Sequence, residues 1–139
     1  MRVIKEFTNW KNLSKPRHIA YSMGRLYLSD KGLHKLLLVD LKTGEQKASG
    51  YFGEGVGQFI RPAGMVVDKE GNLLVVDEGN SRVQVYTGSG NFVRIAFLGQ
   101  EGLDHACGIS VFMDTVIVAC MGNSNGRGGL AKYKIEKSE

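Results

Sequence analysis

The chain has little cysteine and little proline, with two residues of each among 139. Two cysteines cannot build the disulfide framework of a small secreted domain, so we expect a reduced, cytoplasmic setting. No apolar run approaches the roughly 18 residues of a membrane-spanning helix, and the first ten residues lack the apolar core of a secretory signal. The sequence therefore predicts a cytoplasmic protein with no membrane partner.

Glycine, by contrast, is abundant, with 19 of 139 residues, about twice its ordinary share. Hydrophobic residues make up 42% and charged residues 23% of the chain, which is typical of a globular domain and excludes a disordered one. No segment carries the i, i+3, i+4, i+7 apolar spacing over the length of a helix. We therefore predict a single all-β domain of short strands joined by tight turns.

Three segments of the chain repeat one pattern. They begin at Pro16, Pro62 and Ala106, which gives spacings of 46 and 44 residues. A period of about 45 residues is typical of the blades of a β-propeller, each made of four antiparallel strands, and differs from the shorter helical repeats. The sequence therefore predicts propeller blades, about three of them in this chain.

The strands of one blade, named a to d in chain order, are clearest in the middle repeat. Strand a is expected at residues 65–67, strand b at 73–76, strand c around 83–85 and strand d at 92–97. Glycine-containing turns separate these segments, and polar residues alternate with valines in strand c. The middle repeat therefore carries the signals of a complete blade.

The same pattern gives the extent of each blade. We place the blades at residues 13–53, 60–99 and 105–136, with residues 1–9 as the outer strand of an adjacent or closing blade. Three blades are too few for a ring, because propellers close with about four to eight. An open arc would expose a large apolar surface. The propeller is therefore completed either by further repeats of a longer chain or by homodimerisation.

The middle repeat resembles the NHL repeat. The residues that carry the resemblance are Pro62-Ala63-Gly64-Met65, Asp68, Gly71-Asn72, Val75-Val76-Asp77 and Gly79-Asn80-Ser81-Arg82-Val83-Gln84-Val85-Tyr86. The first repeat has His18 where the pattern has glycine and Lys35 in place of Arg82, and the third has Cys120 in place of the aspartate. The resemblance implies half of a six-bladed propeller of the kind found at the C-terminus of TRIM-type RING ubiquitin ligases. There it is a platform that binds RNA or protein substrates.

Several motif residues have a structural interpretation that we favour over ligand contact. Asp77 and Arg82 flank the b–c turn, where the carboxylate can accept backbone N–H groups and pair with the guanidinium. Gly79 and Asn80 are expected to supply positive φ angles. Polar residues in tight turns usually bond locally.

The charges divide between the two rims of the predicted arc. The d–a and b–c connections share one rim, which we call the basic rim, at residues 9–17, 31–35, 53–61, 78–82, 99–105 and 121–129. It carries eight cationic and four acidic residues, a net charge of +4, which equals that of the whole chain. The opposite rim carries three cationic and five acidic residues, a net charge of −2. An anionic partner is therefore expected on the basic rim.

Single-stranded RNA is one candidate partner, because cations follow its phosphates while aromatic side chains stack on its bases. The predicted contact residues are Trp10, Lys15, Arg17, Lys31, His34, Lys35, Arg61, Arg82, His105, Asn123 and Arg127. Trp10 is the stacking candidate, although it could instead pack against a neighbouring blade. Lys15, Arg61 and His105 occupy equivalent positions, so we expect them around the mouth of the channel. An acidic protein partner is the alternative, as is an ordinary solvated surface.

Catalysis has little support in the sequence. Candidate zinc ligands are His18, His34, His105, Cys107 and Cys120, but none of them has CxxC or HxxxH spacing. Both cysteines lie in apolar strands, where cysteine usually acts as a small buried hydrophobe. Nucleophile-elbow, P-loop and paired-carboxylate motifs are absent. We therefore predict a non-catalytic chain without cofactor or metal, with a metal-dependent lyase or hydrolase as the weaker alternative. Ubiquitin ligase activity would require a RING domain, which these residues do not contain.

Overall fold

The computed structural model describes residues 1–2, 12–97, 106–121 and 128–136. In these residues the secondary structure is β, apart from one 3-10 turn at Glu78–Asn80. None of the described residues belongs to a helix that could cross a membrane. The all-β prediction is therefore confirmed.

The first blade is a four-stranded antiparallel sheet in which each strand pairs with the next one along the chain. Its strands are β1 (Pro16–Ser22), β2 (Arg25–Asp30), β3 (Lys35–Asp40) and β4 (Gln46–Ser49). The turns between them are short, and the a–b turn has Met23 and Gly24 in the left-handed region, with φ of 48° and 78°. These connections keep consecutive strands adjacent and antiparallel.

A small parallel ribbon follows the first blade and was not expected from the sequence. Its strands are β5 (Tyr51–Phe52) and β6 (Gln58–Phe59), which pair directly across a glycine-rich loop. Gly53 and Gly57 adopt positive φ angles of 152° and 71°, which ordinary side chains disfavour. The glycines therefore let the loop turn back sharply enough for the ribbon to form.

The second blade has the predicted four strands in the predicted order. They are β7 (Pro62–Val67), β8 (Leu73–Asp77), β9 (Arg82–Tyr86) and β10 (Phe92–Phe97). Strand β7 begins earlier than expected, because Pro62 already pairs with Asp77 ahead of a register shift. Such a shift changes the local twist of the strand and is common at blade rims.

The third blade contributes three described strands, β11 (Ala106–Phe112), β12 (Thr115–Cys120) and β13 (Gly129–Lys134). They form an antiparallel sheet in chain order. The three blades follow the predicted strand order abcd, abcd, abc. The outer strand predicted at residues 1–9 lies mostly outside the described residues.

The core lies between neighbouring blades and explains why the middle blade is so apolar. Alternate side chains of β8 enter different clusters: Leu73 and Val75 face the first blade, whereas Leu74 and Val76 face the third. Successive side chains of a strand point to opposite faces of its sheet. Because both faces of the second blade are covered, β8 and β9 are buried along their whole length.

The inner strands of adjacent blades approach closely, and Gly64 makes this possible. A β-carbon at Gly64 would lie 2.5 Å from the carbonyl oxygen of Cys107 and 3.0 Å from the α-carbon of Gly108. Both atoms belong to the backbone of β11 and cannot move aside easily. Only glycine therefore fits at this position without separating the blades.

Candidate functional site: the basic rim

The connections predicted to share a rim do lie together where the structure describes them. The backbone N–H of Arg61, before strand a of the second blade, donates to Nδ1 of His34 in the b–c turn of the first blade, at 3.0 Å. On the opposite rim, Nζ of Lys69 lies 2.8 Å from Oδ1 of Asp114, which joins the a–b turns of two blades. Equivalent turns of neighbouring blades are thus on the same side of the arc.

Asp30 fixes the rim of the first blade. Its carboxylate accepts backbone N–H bonds from Ser14, Lys15, Gly32 and Leu33 at 2.7–3.0 Å. Burial alone would raise the pKa of Asp30, but these four donors outweigh it and hold the pKa below its ordinary value. One carboxylate therefore ties the segment before strand a to the b–c turn.

This anchoring brings cationic residues together. The backbone N–H of Lys31 donates to the carbonyl of Lys15 at 2.9 Å. The side chains of Lys15 and Arg17 are exposed, and Lys31 is half-buried. His18 follows on the same strand, and its pKa is lowered by burial and then by the charge of Arg17. The first blade therefore presents cations whose backbone is held rigidly.

Asp77 has the equivalent place in the second blade and a different set of donors. Its Oδ1 accepts the backbone N–H of Ile60 at 2.9 Å. Its Oδ2 accepts from Nδ2 of Asn80 and Nε of Arg82 at 2.8 Å, and from Nε2 of Gln84 at 3.1 Å. The predicted local pairing of Asp77 with Arg82 is confirmed.

The same contacts correct the prediction that Arg82 is available to a partner. The residue is only 6% exposed. Besides the bond to Asp77, its guanidinium donates to the carbonyls of Glu54, Gly55 and Gln58 at 2.6–2.9 Å. A guanidinium has five N–H donors in a fixed fork, and this environment engages them from several sides. Arg82 therefore organises the loop of the β5–β6 ribbon and does not face solvent.

The centre of the rim is a cluster of His34, Phe52 and Arg61. The His34 ring meets Phe52 edge-on, with 4.9 Å between ring centroids and 69° between planes. Its Nδ1 accepts a hydrogen bond, so Nε2 is the nitrogen left to face a ligand. Phe52 is exposed despite this contact, and so is the side chain of Arg61. An exposed aromatic ring and an exposed arginine are therefore both held at His34.

Phe52 is not among the contact residues that the sequence predicts. It falls at the end of the first repeat, where the pattern predicts only a connection. The sequence feature that could have identified Phe52 is the aromatic pair Tyr51-Phe52, which stands directly ahead of the glycine-rich segment Gly53-Glu54-Gly55. The ribbon formed by β5 and β6 holds this aromatic pair on the rim.

Other predicted contact residues have different outcomes. Lys35 is half-buried at the start of β3, next to His34. Trp10, His105, Asn123 and Arg127 lie outside the described residues. Lys15 and Arg61 lie directly before β1 and β7, and the placement of these two residues and His105 around a channel mouth stays a prediction.

The described part of the basic rim has excess positive charge. Its cations outside the Arg82–Asp77 pair are Lys15, Arg17, Lys31, Lys35 and Arg61, and its acidic residues are Glu54 and Glu78. This gives a net charge of +3, against −2 on the opposite rim. Among the described residues, none of these five cations forms an ion pair. Their charges are therefore free to attract an anionic partner.

The metal-ligand candidates do not converge where they are described. Within those residues, no three His, Cys, Asp or Glu side chains are placed to hold a metal ion. Cys107 Sγ donates to the carbonyl of Ala119 at 3.6 Å, a contact within its own blade, and Cys120 is half-buried. The described geometry therefore offers no preformed metal centre for a reaction.

Residues 59–86 match the model of the NHL repeat, which confirms the resemblance in the middle blade. The chain is 46% identical over 43 residues to the E3 ubiquitin-protein ligase TRIM71 of Rattus norvegicus, and 43% identical over 44 residues to the protein lin-41 of Caenorhabditis elegans. The B-box type zinc finger protein ncl-1 of C. elegans is 42% identical over 43 residues. These segments cover 31–32% of this chain but only 4–5% of each relative.

Solved structures show the same fold over most of the chain. A luciferin-regenerating enzyme superposes with a TM-score of 0.64 at 16% identity, covering 87% of this chain and 45% of the enzyme. A hydrazine synthase of Kuenenia stuttgartiensis gives a TM-score of 0.64 at 22% identity, covering 87% and 33%. This chain therefore carries an NHL repeat related to those of TRIM-NHL proteins, in a fold that also occurs in enzymes.

Proposed function

We propose that the chain is a non-catalytic platform that binds single-stranded RNA on its basic rim, and that it serves as the recognition part of a TRIM-type ubiquitin ligase. The observation that carries the proposal is the cluster of His34, Phe52 and Arg61, in which the exposed Phe52 ring and the Arg61 backbone both contact His34. Arg61 has no ion-pair partner among the described residues. Similarity to the E3 ubiquitin-protein ligase TRIM71 supports the link to a ligase.

The electrostatic part of the proposal rests on how the cations are held. Lys15, Lys31 and Arg61 are fixed through backbone hydrogen bonds, which leaves their side chains free to reach phosphates. Contacts of this kind are not sequence-specific and release counterions. If all five rim cations contribute, the slope of log K against log salt should be about −3.5.

Stacking adds the feature that distinguishes RNA from other anions. Phe52 presents its ring at the rim, supported from behind by the edge-on contact with His34. A base stacked on an aromatic side chain contributes about 1–3 kcal/mol. Phe52→Ala should therefore weaken RNA binding by about 5- to 160-fold, whereas an acidic peptide held only by charge should be little affected.

Fluorescence anisotropy with a labelled single-stranded RNA tests the proposal. Lys15→Glu/Arg61→Glu should lower the affinity at least tenfold and flatten the salt slope by about 1.4. The matched control is Arg25→Glu/Lys42→Glu, which makes the same charge change on the opposite rim. Equal losses in both double variants would contradict a rim-specific site. Retained binding of an acidic peptide without RNA binding would favour the protein-partner alternative instead.

A further inference from the structure

The amide that directly precedes strand a has different hydrogen-bond partners in the first and second blades. Lys15 and Arg61 are equivalent, since each stands immediately before strand a of its blade. The N–H of Lys15 donates to Oδ1 of Asp30 in its own blade, at 3.0 Å. The N–H of Arg61 donates to Nδ1 of His34 in the neighbouring blade, also at 3.0 Å. The same amide thus serves its own blade in one repeat and links two blades in the next.

Asp77, the equivalent of Asp30, is fully engaged without the Arg61 amide. Each of the two carboxylates accepts four hydrogen bonds, about the number of lone-pair sites that a carboxylate offers. The donors to Asp30 are all backbone N–H groups, whereas three of the donors to Asp77 are the side chains of Asn80, Arg82 and Gln84. The Arg61 amide therefore takes an acceptor outside its own blade.

The backbone of Arg61 changes direction together with this change of partner. Arg61 and His34 both lie in the left-handed region, with φ of 53° and 55°. Residues other than glycine adopt this region uncommonly, because the β-carbon then crowds the backbone. Lys15 is not among the described residues with a positive φ. The hydrogen bond to His34 therefore holds Arg61 in a conformation that its counterpart in the first blade does not adopt.

The imidazole of His34 makes a second contact on the same rim. Its ring meets that of Phe52 edge-on, with 4.9 Å between centroids and 69° between planes. Phe52 belongs to β5 and is 63% exposed. Few packing contacts can hold so exposed a ring, so the imidazole contributes much of its support. One side chain thus connects the b–c turn of the first blade to β5 and to the entry of the second blade.

We propose that His34 is the positioning residue of the basic rim, which orients Arg61 towards RNA phosphates and supports Phe52 for stacking on a base. This role rests on the proposed function, because it acts through the two residues assigned there to RNA. Groups already held in their bound arrangement lose less freedom on association, which raises affinity without any additional contact.

The b–c turn allows His34 to be replaced without loss of the turn. Ser81 is the equivalent residue of the second blade and has the same left-handed conformation, with φ of 48°. A turn of this shape therefore does not require a histidine. Glycine and asparagine both adopt the left-handed region readily, so His34→Gly and His34→Asn should fold.

The two substitutions differ in what they retain. His34→Gly removes the ring and its acceptor, whereas His34→Asn keeps an acceptor oxygen close to the position of Nδ1. Amide hydrogen exchange measured by NMR should show the Arg61 N–H protected in the wild type and in His34→Asn. In His34→Gly the same amide should exchange at least about tenfold faster. The ¹⁵N shifts of the wild-type imidazole should show the proton on Nε2, and the spectra also show whether each variant is folded.

Fluorescence anisotropy with a labelled single-stranded RNA then measures the effect on binding. His34→Gly should weaken binding at least about tenfold, and His34→Asn should retain part of this affinity because it still holds Arg61. Met23→Gly is the matched control, since Met23 is also left-handed, with φ of 48°, and lies on the opposite rim. It should change the affinity by less than about twofold.

A double-mutant cycle distinguishes positioning from direct contact with RNA. In Arg61→Ala/Phe52→Ala, measured at low salt to keep binding detectable, adding His34→Gly should lower the affinity no further, because both side chains that it orients are gone. An equal further loss, an Arg61 amide that does not respond to His34→Gly, or unchanged RNA binding by His34→Gly would each overturn the positioning role alone. A wild-type chain that binds no RNA would overturn the proposed function together with it.

Discussion

Replacing Arg82 should reveal how strongly the second blade depends on one buried ion pair. Arg82→Met keeps much of the side-chain volume but removes the bond to Asp77 and the donors to the carbonyls of Glu54, Gly55 and Gln58. The Asp77 carboxylate, which is fully buried, would keep Ile60, Asn80 and Gln84 as donors but lose its compensating charge.

The expected cost follows from this arrangement. Removing one partner of a buried ion pair destabilises a protein by about 3–5 kcal/mol, because the other charge remains buried. A small domain is stable by only about 5–15 kcal/mol in total, so the variant should be close to unfolding at room temperature. Lys35, the equivalent residue of the first blade, is half-buried and has no ion-pair partner among the described residues. Lys35→Met should therefore cost no more than about 0.5 kcal/mol.

Urea unfolding followed by circular dichroism measures both variants under the same conditions. We expect the midpoint to fall sharply for Arg82→Met and to change little for Lys35→Met. If the two variants lost the same free energy of unfolding, or if Arg82→Met cost less than about 1 kcal/mol, the buried pair would not stabilise the blade as the structure indicates.

Three other substitutions test separate parts of the structure. Gly64→Ala should destabilise the fold by at least about 2 kcal/mol in urea unfolding, because its methyl group would strike the backbone of β11. Asp30→Asn should make the free energy of unfolding depend less on pH in acid. The pKa of Asp30 is lowered in the folded state, so its ionised carboxylate stabilises the fold above pH 3.8. This stabilisation is lost as the pH falls through the folded-state pKa. Tyr86→Phe should make the free energy of unfolding depend less on pH above pH 10. Burial, and then the charge of Asp77, raise the pKa of Tyr86, so the folded state favours the protonated phenol.

The blade pattern could be predicted from the sequence because it is local. Turn glycines and apolar runs of four to six residues fix the strands, and strand d of the second blade matched the prediction at both ends. The earlier start of β7 was missed, since the pairing of Pro62 with Asp77 precedes a register shift that no local pattern reveals.

The candidate site was predictable only in part. Sequence showed that Lys15 and Arg61 are cationic and lie in rim connections, but it did not show which arginine is buried. The partners of Arg82 are carbonyls 24 to 28 residues earlier in the chain, and backbone carbonyls have no sequence signature. Phe52 was missed for a related reason, because the parallel ribbon that holds it depends on the return of a glycine-rich loop.

Photo-cross-linking of bound single-stranded RNA, followed by mass spectrometry of the peptides, tests the proposed site most directly. The account predicts adducts on the peptides that contain Phe52 and His34, and their loss in Lys15→Glu/Arg61→Glu. Adducts that instead fell on the opposite turns, at residues 68–72 and 87–91, would contradict it.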